Sequence, residues 1–543
     1  MSRVLLVSLY DEFCRGPRQL LSELLQSGHD AWLLVFKLHR RKELGSDEPS
    51  APEWQIEIQA GGGRAVLPYP FAPTDKEVGL ACELMQRLRP DLVGLSVYSP
   101  QVRQAADFTR LVRQILPGVP VLWGGPHATC LPDSCLEYAD YAMVGEGDTA
   151  LVDLASRVGA GVSVDSVASL VWRDASGQIK RNPLAPVIDD LDSLPFPWHR
   201  YERLFYIDDD TLYENRVPEN SLYARNYRIM TSRGCPFDCS YCMLSYQKEI
   251  MPECSHVRMR SVENVIAELE EEKARRGVPF FVEIEDDVFT INYNRMKAFL
   301  DLYSERIAMP YWCYTHPRYA KPEMLNLLRS HRCSFVVMGI QSGSDRIAKE
   351  IFNRHIGNAG VLEAATNIHA SGLRPFYDLI SNNPFETDED RISTFHLLRS
   401  LPKPYELQLA VLNFYPNLRI TRMRDEQHLP EVDHFAYRYW NSLYQLASTT
   451  EISDEMAQHL LADEGLKHAP EMLEWMAKQT YQAVRHGADE HAENISLRED
   501  IDAGIRREEA LRILLHDLHM RKGFRHFIRL SDLYIRLTKK HNA

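Results

Sequence analysis

Three cysteines, Cys235, Cys239 and Cys242, stand within one short run, Gly-Cys-Pro-Phe-Asp-Cys-Ser-Tyr-Cys. The C-x-x-x-C-x-x-C spacing lets a single loop turn three soft thiolates toward one centre. Thiolates in that arrangement hold iron–sulfur clusters or zinc. A structural zinc ion needs a fourth ligand, for which Cys254 and His256 are the nearby candidates. In the other reading three thiolates bind three irons of a cubane, and the fourth iron stays open to a small ligand. Both readings require the loop to be held at the end of a rigid element.

That element is legible directly upstream. Residues 227–231 have strand character, and further β-rich runs follow at 280–285, 311–315, 335–340, 375–380 and 408–414, with helical patterns such as 261–275 between them. Six βα units predict a partial (β/α)6 barrel of the TIM type over residues 226–425, with its chemistry at the C-terminal strand ends. Those ends carry Glu285, Asp286 and Asp287 after the second strand, and Tyr314, His316 and Arg318 after the third. Gln341 and Ser342 follow the fourth, and Asn382-Asn383-Pro384-Phe385-Glu386-Thr387 the fifth. Tyr314, His316 and Arg318 are the candidate substrate-side groups of an aromatic-rich cup.

Residues 1–164 alternate in the same way. Apolar runs at 3–10, 31–37, 91–98, 119–123 and 141–144, separated by amphipathic stretches, predict a doubly wound, Rossmann-like α/β domain. Its ligand edge is set by β-to-α turns at Gly16, Ser99, Gly124-Gly125 and Gly145-Glu146. Residues 38–75 read as an irregular insertion, 165–225 as a linker with a hairpin near Gly177, and 426–543 as a helical C-terminal region. The formal charge of −14 gives no broad grip on nucleic acid. No apolar run reaches a membrane span and no secretory signal opens the chain, so a cytoplasmic protein with reduced thiols is expected.

The cysteine run, with Tyr241 before its last member and a barrel strand ahead of it, resembles the signature of the radical S-adenosylmethionine superfamily. The resemblance implies a 4Fe-4S cluster on Cys235, Cys239 and Cys242 whose open iron chelates S-adenosylmethionine. It implies reductive cleavage to a 5′-deoxyadenosyl radical, with the protein supplying placement and exclusion of water. Tyr241, Glu285, Asp286, Gln341 and Ser342 are the implied S-adenosylmethionine residues. Relatives commonly have Glu where this chain has Gln341; an amide still bonds a hydroxyl. The fifth-strand segment lacks both glycines of the Gly-Leu-Pro-Gly-Glu-Thr found in relatives.

Gly124-Gly125-Pro126-His127 and Gly145-Glu146-Gly147-Asp148, with Gly28-His29-Asp30 before them, resemble the cobalamin-binding domain fused ahead of the barrel in one class of these enzymes, class B. This resemblance spans residues 1–425 and implies cobalamin bordered by Phe13, Ser99, Gly124, Gly125, Gly145 and Glu146. Relatives that ligate cobalt from below use Asp-x-His-x-x-Gly after the first strand; here Asp11 to Gly16 keeps the frame with Phe13 at the imidazole position. A phenyl ring donates no lone pair, so no histidine of this loop is expected on cobalt.

The class implies methylation of an unactivated carbon in a small organic or natural-product substrate, with a flavodoxin or ferredoxin as external electron donor. Non-methylating rearrangement, cyclisation or oxidation, and a barrel beside an empty N-terminal scaffold, stay open. A transfer-RNA methylthiotransferase would need a second cluster on N-terminal cysteines and a basic RNA-binding module, which the charge and the helical C-terminus oppose.

Overall fold

The chain, seen in a computed structural model, is described for residues 1–38, 57–60, 63–66, 72–219, 221–278, 280–430, 434–468, 470, 473–474 and 476–477. Most of the 38–75 insertion, and the basic C-terminal stretch after residue 480, lie outside the described residues. Apolar residues at successive positions of β1 (Arg3–Leu9) and β2 (Asp30–Phe36) are buried on both faces, as parallel strands between helices must be. Two short strands, β3 (Glu57–Ala60) and β4 (Gly63–Val66), leave this sheet for the other one. β5 (Leu92–Ser96), β6 (Val121–Gly124) and β7 (Tyr141–Met143) complete the parallel core.

Residues 165–225 form the hairpin expected near Gly177 and, where a linker was expected, two further strands. β8 (Leu170–Arg173) and β9 (Ile179–Arg181) extend the β7 edge, and β10 (Leu204–Asp208) and β11 (Thr211–Glu214) extend the β2 edge. The resulting nine-stranded order is β11-β10-β2-β1-β5-β6-β7-β8-β9. The short polar β9 and β11 are paired on one side only, which suits edges. A buried triad, Lys37 with Glu77 at 2.7 Å and Asp208 at 3.3 Å, ties β10 to the helix Asp75–Leu88.

The second sheet follows the predicted strands closely: β12 (Asn226–Ile229), β15 (Phe281–Ile284), β16 (Tyr311–Thr315), β17 (Cys333–Gln341), β18 (Arg374–Ser381) and β19 (Glu406–Val411), all parallel. A two-stranded ribbon, β13 (Ser232–Arg233) with β14 (Arg258–Met259), flanks it, and β3-β4 closes the β19 edge. This is the predicted open (β/α)6 barrel.

Past the barrel the helices Arg419–Glu426, His434–Thr449, Asp454–Ala462 and Glu464–His468 bear out the helical reading as far as the description reaches. Helix His434–Thr449 shares the barrel's hydrophobic core through Tyr439, Leu443 and Leu446. It meets the barrel rim where Tyr437 hydroxyl donates to Asn383 O and Asn441 Nδ2 to Asn382 Oδ1 at 3.1 Å. No helix among the described residues is long and apolar enough to cross a membrane.

Candidate active site

The cysteine loop leaves β13 at Gly234, whose φ of +97° and a virtual Cβ only 3.0 Å from His256 O leave room for glycine alone. The loop is then pinned from three directions. Lys248 Nζ donates to Phe237 O and Asp238 Oδ1 at 2.9 and 2.8 Å, Ser240 N to Phe352 O at 3.0 Å, and Asn353 Nδ2 to Asp238 O at 2.7 Å. Tyr241 packs edge-on against Phe352 at 4.9 Å. Partial burial and mutual charge push the thiols of Cys235 and Cys242 up to about 12 and 11. Coordination to a cationic metal would deprotonate them.

Zinc is not supported. His256 is exposed and pairs with Asp189 at 3.1 Å.

At the end of β15 the expected acid and the available acid differ. Asp286 is 1% exposed and saturated: Thr231 N and Oγ1 donate to it at 2.5 and 2.6 Å, Ser232 N and Oγ at 3.3 and 2.8 Å. It holds the strand that delivers the cysteines and has nothing left for a ligand. Asp287 is the open one. It faces the space between the domains, and enclosure there, then the Asp286 charge, raise it to about 6. Strand parity carried this signal, because Val282, Ile284 and Asp286 share the outward face while Glu283 and Glu285 point inward. Glu285 approaches Arg228 at 3.3 Å.

Ser342 Oγ accepts from Ser344 N at 3.1 Å and keeps its own proton to donate, whereas Gln341 sits at φ +68° where the β17–β18 register shifts. His316 is 5% exposed and stacks on Phe237 at 4.0 Å; its Nδ1 accepts from Arg318 N at 3.2 Å, so Nε2 carries the proton and has no partner. Burial and then the Arg354 charge depress it to about 2, which keeps it neutral. Arg318 is exposed and Tyr314 faces the barrel interior. Arg354, unmarked by any motif, is buried between Tyr241, His316 and Asp378 with its Nε unbonded.

Glu386 ends the β18 loop, 4.0 Å from Arg391. Burial pushes its carboxyl up to about 8. The native state therefore holds a proton that the unfolded chain releases near its ordinary carboxylate range, so this group's contribution falls as pH rises from about 4.5 to 8. Glu386→Gln is expected to raise the apparent melting temperature at pH 8 and to leave it nearly unchanged at pH 4.5. Equal shifts at both values in parallel melts would refute the protonated acid.

Across from the loop lies the carboxyl edge of the nine-stranded sheet, and between them a cavity of about 500 Å³. Its sheet wall is made of Gly94, Gly124, Gly125, Gly145 and Gly147, and its barrel wall of Met230, Ser232, Arg233 and Cys235. A Cβ on Gly145 would come within 2.6 Å of Met251 Sδ, and one on Gly125 within 3.2 Å of Val97 N, both at positive φ. Arg15 Nη1 is buried at the same wall without a partner. The glycines leave this edge of the sheet without side chains where it borders the cavity.

Three expectations change here. Phe13 turns away from the cavity into the barrel-side core, edge-on to Tyr223 at 6.2 Å and under the Arg228 guanidinium at 3.6 Å. Asp11 Oδ1 accepts from the N–H groups of Phe13 and Cys14, and this tight turn swings the ring out. Ser99 spends its hydroxyl on His127 Nδ1 at 3.0 Å, while His127 Nε2 meets Ser134 at 3.1 Å. Glu146 lines the cavity, but its carboxylate clamps the domains through Arg258 at 3.0 Å and Arg233 at 3.3 Å, alongside Asp148 with Arg233 at 3.0 Å.

A thiol loop at a barrel mouth, facing a glycine-lined sheet edge, defines an enzyme with two cofactor domains opposed across one cavity. Residues 229–398 match the model of the Radical SAM superfamily, and residues 81–155 that of the B12 binding domain. These two domains in one chain support a cobalamin-binding, class B type of radical S-adenosylmethionine enzyme. Its cofactors are a 4Fe-4S cluster, S-adenosylmethionine and cobalamin.

It is 26% identical to an uncharacterized methyltransferase of Pyrococcus horikoshii, over 62% of this chain and 70% of that one. It is 26% identical to the cytidylyl-2-hydroxyethylphosphonate methyltransferase of Streptomyces wedmorensis, over 50% and 54%. It is also 25% identical to the anaerobic magnesium-protoporphyrin IX monomethyl ester cyclase of Rubrivivax gelatinosus, over 45% and 42%. The match thus spans about half the length of the latter two relatives. The fold is that of TsrM from Kitasatospora setae, a radical S-adenosylmethionine methyltransferase, with a TM-score of 0.59 at 17% identity over 79% of this chain and 75% of that one. It is equally that of OxsB, with 0.62 at 12% identity over 99% and 84%.

Proposed function

We propose that this enzyme transfers a methyl group to an unactivated carbon of a small organic substrate. The observation that carries the reading is the single cavity walled by the cysteine loop on one side and the glycine edge of the cobalamin domain on the other. When bound, the cluster and S-adenosylmethionine supply a hydrogen-abstracting radical and cobalamin supplies a transferable methyl. The chain's own work is placement. Cys235, Cys239 and Cys242 hold the cluster, and Asp287 receives the ammonium of S-adenosylmethionine.

Gln341 is left to face a ribose hydroxyl. Gly124, Gly125 and Gly145 keep side chains out of the corrin's path, and no imidazole of the Asp11–Gly16 loop reaches it. Neutral His316 donates from Nε2 toward the substrate side without adding charge. Electrons come from an external carrier of the flavodoxin or ferredoxin kind.

Anaerobic protein supplied with methyl-labelled S-adenosylmethionine and a reductant tests this. Corrin absorption should persist through gel filtration, 5′-deoxyadenosine should form, and label should appear on substrate carbon. Cys239→Ala should lose iron and deoxyadenosine formation while keeping the corrin. Deoxyadenosine without any carbon-bound label would favour the cyclase-like outcome instead, the second reading supported by the likeness to the magnesium-protoporphyrin cyclase.

A further inference from the structure

The barrel interior contains a polar site that the cofactors leave unused. Along β16, β18 and β19 the outward residues Tyr311, Cys313, Tyr377, Leu379, Leu407 and Leu409 are buried, while the inward residues Trp312, Tyr314, Phe376, Asp378 and Gln408 keep partial or full exposure. A filled barrel buries both sets; this one is an open cup. Its lower wall is aromatic. Phe335 stacks on Trp312 at 5.5 Å and on Phe281 at 6.1 Å and lies 4.5 Å from Phe376, with Tyr314 edge-on to Trp312 at 5.0 Å.

Above that wall stand three carboxylates, unequally served. Glu283 and Glu285 share the Arg228 guanidinium at 2.5 and 3.3 Å, and Glu283 also accepts from Asn226 Nδ2 at 2.7 Å. The Oδ1 of Asp378 is buried and unbonded. Arg354 favours its charged form but makes no ion pair with it. Arg354 is only 8% exposed, spends Nη2 on Gly339 O at 2.6 Å, and leaves Nε buried and unbonded. Opposite charges that attract without meeting, each with an unsatisfied buried atom, are costly to maintain in an empty protein. The gap between them is shaped for an arriving group.

We propose that Asp378 binds the substrate, and that the substrate carries a cationic amine seated on this carboxylate against the Trp312, Tyr314, Phe335 and Phe376 wall. An ammonium offers both the donor and the positive charge that Asp378 lacks, and aromatic faces attract cations. An anionic substrate would meet Glu283, Glu285 and Asp378 together. Enclosure pushes Asp378 up to about 6, so its ionised form gains directly from a bound cation. The inference rests on the methyl-transfer reading for the cup being the substrate side, with the ammonium of S-adenosylmethionine placed apart at Asp287.

The test uses cofactor-loaded enzyme with saturating S-adenosylmethionine and ligand-observed NMR titrations of phenethylamine, 2-phenylethanol and 3-phenylpropionate. Phenethylamine should bind at least about tenfold tighter than the alcohol, with the acid weakest. Asp378→Asn should erase that preference, and Asp378→Glu should keep part of it. Equal binding of amine and alcohol, no amine binding at millimolar concentration, or a preference unchanged in Asp378→Asn would each overturn the proposal. So would an amine preference that disappears when S-adenosylmethionine is added, because the carboxylate would then belong to that cofactor. Deoxyadenosine measured in the same samples reports on the methyl-transfer reading separately: its absence beside an intact amine preference rejects the radical chemistry and leaves the amine site standing.

Discussion

Asp286→Asn is expected to lower the stability of the cofactor-free protein by about 3 kcal/mol, whereas Asp287→Asn should leave it unchanged. The difference follows from what each carboxylate touches. Asp286 accepts four hydrogen bonds from Thr231 and Ser232, the residues that end the first barrel strand and begin the cysteine loop. An amide in that position presents N–H groups to donors, so a buried site loses charge-assisted bonds and gains a clash of like dipoles. Asp287 makes no such bonds and faces the cavity. Its loss should appear in S-adenosylmethionine binding, weakened by about tenfold to a hundredfold, the equivalent of roughly 1.5–3 kcal/mol for a hydrogen bond to a charged group. Chemical denaturation and equilibrium dialysis of the two variants distinguish these effects. A stable Asp286→Asn that fails to bind S-adenosylmethionine would reverse the two roles.

The second large effect is expected at Glu146. Its carboxylate bridges Arg258 and Arg233, and the Arg258 side chain is 3% exposed. Glu146→Ala leaves that guanidinium buried with only Ile188 O, at 2.8 Å, to receive it. Truncating one partner of a buried charge pair costs about 2–5 kcal/mol. Because the pair crosses from the β7 turn to β14, the loss should loosen the wall of the cobalamin cavity as well as lower the melting point. Gel filtration followed by visible spectroscopy should show corrin lost faster from the variant. Glu146→Gln, which keeps acceptor geometry, should recover part of both. Full retention of corrin in Glu146→Ala would mean that the clamp carries no part of the cofactor's hold.

The barrel and its cysteine loop were legible because periodicity and thiol spacing are local properties. All six parallel barrel strands lie where apolar runs put them, and β16 coincides with residues 311–315. Within 165–225 the β8–β9 hairpin was legible from its Asp174–Gly177 turn, but β10 and β11 were missed for the opposite reason. β10 is strongly apolar yet sits beside an acidic, Pro-rich crossing, and it acquires its role only by pairing with β2, about 170 residues earlier in the chain.

Site residues divided along the same line. The roles proposed for Cys235, Gly124 and Gly145 rest on backbone position or element chemistry, which sequence encodes directly. Asp286 and Ser99 had the right type at the right turn, but tertiary partners had already taken their polar atoms. Arg354 and Asp378 belong to no motif, and only the folded cup brings them opposite each other.

The turn of Phe13 away from the cavity bears on how such enzymes could be recombined. The ring fills a hole between Tyr223 and Arg228 on the barrel side, and the neighbouring Glu12 accepts from Ser221 and from Tyr223 N at 3.2 Å. The loop after the first strand is therefore a tenon cut for this barrel's mortise. A chimera that grafted onto it a related N-terminal half with histidine at that position would bring a smaller, polar ring to an apolar socket. The residue that looked like a lost cobalt ligand is one of the contacts that fit the two halves of this chain to each other.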